Sequence, residues 1–145
     1  MRHQDLAKRL FPAFLSVEAR KLGCVWWGIS VVLGEHDVLI PDLVFVSAER
    51  LEIRQAHALV GAPDLAVEIL SPSTRARDEQ VKAKLYARAG VRILWIVDPD
   101  DDRLDVYRLR SRAYGQPTPY RAPEVVREAT LPGLEVDLEA LFFRP

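Results

Sequence analysis

Two short apolar runs flanking a helical stretch constrain this chain more than any other feature. Residues 64–70 (DLAVEIL) and 91–98 (VRILWIVD) are rich in branched aliphatic residues and bounded by turn formers, so both read as strands. Between them, Ser71-Pro72-Ser73-Thr74 breaks the first strand and offers a cap. Residues 76–89 then read as a helix closed by Gly90. The nearly unbroken apolar character of 91–98 is that of a strand buried on both faces. A strand, a helix and a strand in this order predict a right-handed crossover between parallel neighbours.

The flanking segments build a sheet around this unit. Residues 3–22 place Leu6, Leu10, Phe14, Val17 and Leu22 near helical spacing, with Gly23 placed to end the helix. Residues 24–33 and 38–47 read as two strands joined by the turn Gly34–Asp37, and Pro41 marks an irregularity or an edge. Residues 48–62 are partly helical at best. After the turn Asp98–Asp102, residues 103–110 alternate in character and pair back as a hairpin. A loop with Gly115, Pro117 and Pro119, a short strand near 124–130 and a short helix after Gly133 complete the chain. The expected class is α/β: a helix, three strands, a helix and a strand forming a mixed central sheet flanked by helices, with an additional C-terminal hairpin.

At 145 residues the chain fits one domain, 1–145, with a sizeable core. No apolar run approaches the roughly 18 residues that read as a membrane span, and the charged start MRHQDLAKRLF lacks a signal-peptide apolar region. Cys24 is the only cysteine, which excludes an internal disulfide or a cysteine metal cluster. These features predict a soluble cytoplasmic protein. The net charge of −1 excludes a chain that binds nucleic acid through overall basicity.

Glu68 is the most telling residue. It interrupts the apolar run Leu65–Leu70, where an ionised carboxylate is costly unless it is paired or bound to a metal. Asp64 shares its face but lies four strand residues away, about 13 Å. Ligand distances of roughly 2.0–2.6 Å cannot bridge that gap with one ion. Asp42, which opens the run Leu43–Val46, fits better, because neighbouring strands lie about 4.8 Å apart. Two such carboxylates suit a hard cation such as Mg²⁺. On the following helix, Asp78, Lys82 and Tyr86 form one stripe at i, i+4 and i+8, from which Lys82 can lean back towards the acids. Lys84 lies about 160° around the helix from Lys82 and is the weaker candidate. The plain alternatives are a structural Glu68 paired with an arginine, a turn role for Asp42, and a surface Asp78–Lys82 salt bridge.

The stretches PDLVFV and GAPDLAVEILSPSTRARDEQVKAKLYARAGVRILWIVDPDDDRLDVYRL, with the ending LPGLEVDLEALF, closely resemble the Uma-two family. That family is catalogued as restriction-endonuclease-like, was formerly a domain of unknown function, and is placed in the PD-(D/E)XK nuclease superfamily. The resemblance covers most of the chain from Pro41 onward and is most specific from Pro63 to Pro99. It implies a restriction-endonuclease-like core and a metal-dependent endonuclease that cleaves phosphodiester bonds in DNA with Mg²⁺ or Mn²⁺. The aspartate of the PD element falls on Asp42 and the second acid on Glu68. The superfamily lysine is expected two residues after that acid, where this chain has Leu70; the family supplies it from the following helix, at Lys82. Glu18, on the first helix, is a further carboxylate of the kind some superfamily members add. One centre cuts one strand, so cutting both strands calls for a homodimer. A catalytically silent nucleic-acid-binding module, or a protein-interaction module, on the same fold is the alternative.

Sixteen of the twenty basic residues are arginine, whose planar guanidinium suits phosphate; codon bias or heat adaptation gives the same excess. Arg75, Arg77, Arg103, Arg108, Arg110, Arg112 and Arg121 are candidates for phosphate contacts, with Tyr107, Tyr114 and Tyr120 interleaved among them. A solvated hairpin explains the same pattern. His3, His36 and His57 show no metal-ligand spacing. The acids of Asp98–Asp102 suit a hairpin turn better than a cation site. Trp26 and Trp27 point to opposite faces of a strand, so one of them is expected in the core.

Overall fold

A computed structural model describes residues 2–71 and 75–145; the side chains of residues 75–78 lie outside the described set. The expected caps at Ser73 and Thr74, and the side chains of Arg75, Arg77 and Asp78, therefore fall outside the description. The chain runs α1 (Arg2–Ala19), β1 (Gly23–Trp27), β2 (Ser30–Val32), β3 (Val38–Leu39), β4 (Leu43–Ser47), a 3₁₀ turn (Ala48–Ile53), β5 (Ala58–Val60) and β6 (Leu65–Ile69). It continues through α2 (Arg75–Ala89), β7 (Ile93–Asp98), β8 (Arg103–Arg110), β9 (Ala113–Tyr114), β10 (Thr118–Arg121), β11 (Val125–Arg127), β12 (Glu135–Asp137) and α3 (Leu138–Leu141).

The central sheet has the order β1-β4-β6-β7-β8-β10, with β9 paired to β8 beyond this path. β6 and β7 are parallel, in register from Leu65 with Ile93 to Ile69 with Val97, and α2 connects them. The other ladders of this sheet are antiparallel. This is the predicted mixed sheet with its crossover. β6 and β7 are buried along their whole length, as expected for strands covered on both faces.

Strand alternation divides the core in two. Leu43, Phe45, Leu65, Val67, Trp95 and Val97 pack on one side against Leu6, Leu10, Phe14 and Val17 of α1 and against the C-terminal segment. Val44, Val46, Ala66, Leu94 and Ile96 face the other way, against Tyr86 of α2 and a small sheet of order β3-β2-β5. Glu68 and Asp42 share the parity of this second face, which sets them under α2.

Several expectations need correction. The first helix ends at Ala19, and Lys21, with φ 61°, makes the turn assigned to Gly23. Gly23 instead opens β1, where it allows a close approach: an added methyl would overlap the Val46 carbonyl oxygen and stand 2.7 Å from the Phe45 ring. The strand expected at 24–33 is two strands, divided at Gly28 (φ 65°), so that β2 leaves the central sheet. The strand expected at 38–47 likewise breaks around Pro41 into β3 and β4. The expected loop near Pro117 and Pro119 contains β9 and β10; β10 is an edge strand, which tolerates Pro119 because one side needs no ladder hydrogen bond. Neither Trp26 nor Trp27 is fully buried; Trp95 fills the core, edge-on to Phe14 at 5.4 Å. Among the described residues, no helix is long and apolar enough to cross a membrane.

Gly23→Ala is expected to destabilise the protein by at least about 2 kcal/mol, because a backbone oxygen cannot give way as a side chain can. Urea denaturation midpoints of the two proteins check this.

Candidate active site

β6 carries Glu68 into the interior, where the residue is only 6% exposed. Its two oxygens are held separately. Tyr86 donates its hydroxyl to Oε1 at 2.6 Å, and Lys82 Nζ lies 3.5 Å from Oε2. Both partners come from α2, at positions i and i+4, and so project to one side of the helix. Leu70, where the superfamily pattern would have lysine, is buried beside Val44 and Tyr86. The helix places an ammonium group at Glu68 instead.

Asp42 stands one residue before β4, at the end of the ladder that pairs Leu43 with Val67. Its backbone N–H donates to the Val67 carbonyl at 3.0 Å, and its Oδ2 accepts from the Ile69 N–H at 2.7 Å. The carboxylate is thereby tied to the residue after Glu68. Its other oxygen, Oδ1, lies 3.0 Å from Nε2 of His3 on α1. The two acids thus stand at one end of the central sheet.

Burial pushes the Glu68 carboxyl above its ordinary value of 4.5, and the charge on Asp42 acts in the same direction. The Tyr86 hydroxyl and Lys82 pull it back only in part. Burial, and then the negative charge of Glu68, push the Tyr86 phenol far up, so it remains a proton donor. The pair of acids repel each other in a setting where neither is well hydrated.

The other candidates separate. Glu18 accepts the Val25 N–H at 3.0 Å. It lies fifteen residues along α1 from His3, about 22 Å away, and is not brought to Asp42. Asp64 accepts the Ser47 N–H at 2.7 Å and pairs with Arg50 at 3.2 Å, at the other end of β6. Lys84 is exposed on another side of α2. Arg103 bonds Asp105 at 3.1 Å and also reaches Asp98 and Asp101; Arg108 grips buried Glu128 at 2.8 and 3.2 Å; Arg121 holds Asp101 at 2.9 Å. These three arginines are occupied with acids of the same chain, whereas among the described residues Arg110 and Arg112 have no ion-pair partner. The acidic turn is a true turn: Asp98 Oδ1 accepts the N–H groups of Asp100 and Asp101, and arginines surround it. Among the described residues, no three His, Cys, Asp or Glu side chains gather as a metal cluster.

Sequence reasoning missed His3 and the role of Tyr86. The i, i+4 relation to Lys82 was a usable signal for Tyr86. His3 meets Asp42 across thirty-nine residues and gives no spacing to read.

The chain matches the family Uma2, described as "Putative restriction endonuclease", over residues 1–139. It belongs to the Uma2 family. A solved structure of a "putative nuclease belonging to DUF820" from Anabaena variabilis is similar, with a TM-score of 0.79 and 21% identity, covering 98% of this chain and 80% of that one. At that identity the likeness establishes the fold alone. No curated protein matches. In this Uma2 protein the helix-borne lysine and the two acids lie on the face of the central sheet that α2 covers.

The raised Glu68 carboxyl gives a signed pH prediction. Its stabilising contribution as a neutral acid is present below about pH 4.5 and is lost as pH rises through the higher folded-state value. Glu68→Gln removes that loss, so the variant should gain stability relative to the parent as pH rises from 4 to 8. Urea titrations across that range test this; parallel stability curves would mean that Glu68 ionises without penalty.

Proposed function

We propose that this protein is a metal-dependent endonuclease of the PD-(D/E)XK type that hydrolyses phosphodiester bonds in DNA. The observation that carries the proposal is a buried, strand-borne glutamate held by a lysine and a tyrosine from one helix, next to a second carboxylate. A purely structural acid on an apolar strand needs one neutralising partner, not a second acid that makes its ionisation harder. The Uma2 membership supports the same reading.

The donor set fits a hard divalent cation. Asp42 and Glu68 offer carboxylate oxygens, and their mutual repulsion is the kind of strain that Mg²⁺ or Mn²⁺ relieves. When bound, such an ion polarises a phosphoryl oxygen and acidifies water. The chain's own residues do the rest. His3 and the Ile69 N–H hold the two oxygens of Asp42, so its carboxylate plane is fixed. Tyr86 fixes Glu68 through Oε1 and leaves Oε2 towards Lys82. Lys82, with its ammonium beside Glu68, orients the attacking water and offsets charge that builds on the phosphate. Preorganisation of this kind removes reorganisation from the chemical step.

Incubation with supercoiled plasmid and with single-stranded DNA, in Mg²⁺ or Mn²⁺, is expected to give cleavage that EDTA abolishes. Glu68→Ala should eliminate it, and Lys82→Ala should slow it by about 10²-fold or more. Cleavage that persists in Glu68→Ala would assign the activity to another site. Ion binding lost in Asp42→Asn, without cleavage by the parent protein, would leave a metal-binding module in place of a nuclease.

A further inference from the structure

A concavity lies along α2, the helix that also carries Lys82 and Tyr86. α2 and the β8–β9 hairpin enclose about 610 Å³, with Ala83 and Ala87 contributing an apolar wall. Tyr107 and Tyr114 line it together, their rings 5.8 Å apart and tilted by 59°. Tyr114 is anchored, since its hydroxyl donates to the Val91 carbonyl at 2.8 Å. Both rings are only partly buried.

Lys84, Arg88 and Arg112 also line this cavity, and among the described residues Glu79 is its one acid. All three cations are exposed, and among the described residues none has an ion-pair partner. They differ in this from Arg103, Arg108 and Arg121, which acids of the chain already engage. The groove therefore complements an anion that also presents a flat apolar surface.

We infer that this groove binds an unpaired DNA strand, with a base on the Tyr107–Tyr114 surface and its phosphates on Lys84, Arg88 and Arg112. The inference rests on the nuclease reading for the choice of DNA. A duplex satisfies the cations but keeps its bases stacked inside, so the tyrosines and the apolar wall gain nothing from it. An unpaired strand uses both features, as aromatic platforms beside basic grooves do. The placement also suits delivery of a substrate. Tyr107 pairs with Leu94, which pairs with Ala66, two residues before Glu68 on the same face. Strand spacings put Tyr107 and Glu68 on the order of 12 Å apart, with α2 shared between the groove and the site. The substrate class that follows is DNA with a single-stranded segment: a flap, a gap, a frayed end or a free strand.

The test reads binding without cleavage. A fluorescein-labelled 12-mer of oligodeoxythymidylate is titrated with the full chain in EDTA by anisotropy, beside a blunt duplex of equal length and a 12-mer with central abasic positions. The single strand should bind at least tenfold more tightly than the duplex. Tyr107→Leu should lose about tenfold on the normal strand and little on the abasic one. The double variant Arg88→Ala/Arg112→Ala should weaken both strands alike and flatten the salt dependence. Equal affinity for duplex and single strand, or equal losses on normal and abasic strands in Tyr107→Leu, would overturn the inference. If Tyr107→Leu does not fold, the parent protein's own preference for the normal over the abasic strand decides the matter. Single-strand binding in EDTA without later metal-dependent cleavage would sink the nuclease reading and keep the groove; cleavage with no single-strand preference would do the reverse.

Discussion

Everything around the candidate site follows from one unfavourable placement, a carboxylate in the middle of an apolar strand. Ionising Glu68 there costs free energy that the bulk core cannot return, because apolar packing does nothing for a charge. The chain meets that cost locally. One helix supplies a hydroxyl and an ammonium group, and each takes a different oxygen. That arrangement needs α2 to cross directly over β6, which in turn needs β7 to lie beside β6 as a parallel neighbour. The crossover is thus both the unit that organises the sheet and the scaffold that makes the glutamate tolerable. Asp42 works against this settlement, since its charge raises the cost again. Stability alone gives no reason to keep two acids together there, whereas the proposed chemistry on a phosphodiester would.

The segments that were legible in the sequence are those where one face or both faces are fully buried. β6 and β7 read clearly because burial dictates every side chain, and α2 and β8 read from the turn formers that bound them. The illegible segments are those where the backbone bends. The run from Cys24 to Leu33 has uniform strand character, yet it contains a change of sheet at Gly28, and β-propensity cannot register that change. β9 and β10 were hidden by the glycine and prolines around them, since an edge strand accepts residues that argue against a central one. Gly23 shows a similar ambiguity. A glycine after a helix reads as a cap, but here it makes room for a carbonyl on the neighbouring strand. The site divides along the same line. Glu68, Asp42 and Lys82 were visible because each breaks a local pattern or falls on a regular stripe. His3 was not, because its partner is distant in the chain and nothing nearby in the sequence marks it.

The arginines illustrate why composition says little until pairing is known. Their excess suggests one continuous basic surface along 103–121. In the folded protein, Arg103, Arg108 and Arg121 are committed to Asp105, Glu128 and Asp101, and they staple the sheet edge to the acidic turn and the C-terminal segment. Among the described residues, Arg112 takes no such ion pair, and with Lys84 and Arg88 of α2 it lines a groove beside two tyrosines. A chain of net charge −1 can therefore present a locally cationic groove without being basic as a whole.

The contact between His3 and Asp42 also bears on how the molecule reaches its finished state. Asp42 and Glu68 meet through a ladder of moderate sequence separation, and Lys82 and Tyr86 follow from the adjacent helix. His3 must come from the chain's first turn and arrives only when α1 has docked along its length against Leu43, Phe45 and Trp95. This closure spans a longer loop than the Asp42–Glu68 ladder and costs slightly more chain entropy. A partly folded chain with an intact crossover but an undocked α1 would hold Glu68 in its native surroundings while Asp42 still lacked its outer partner, so it is the docking of α1 that completes the site.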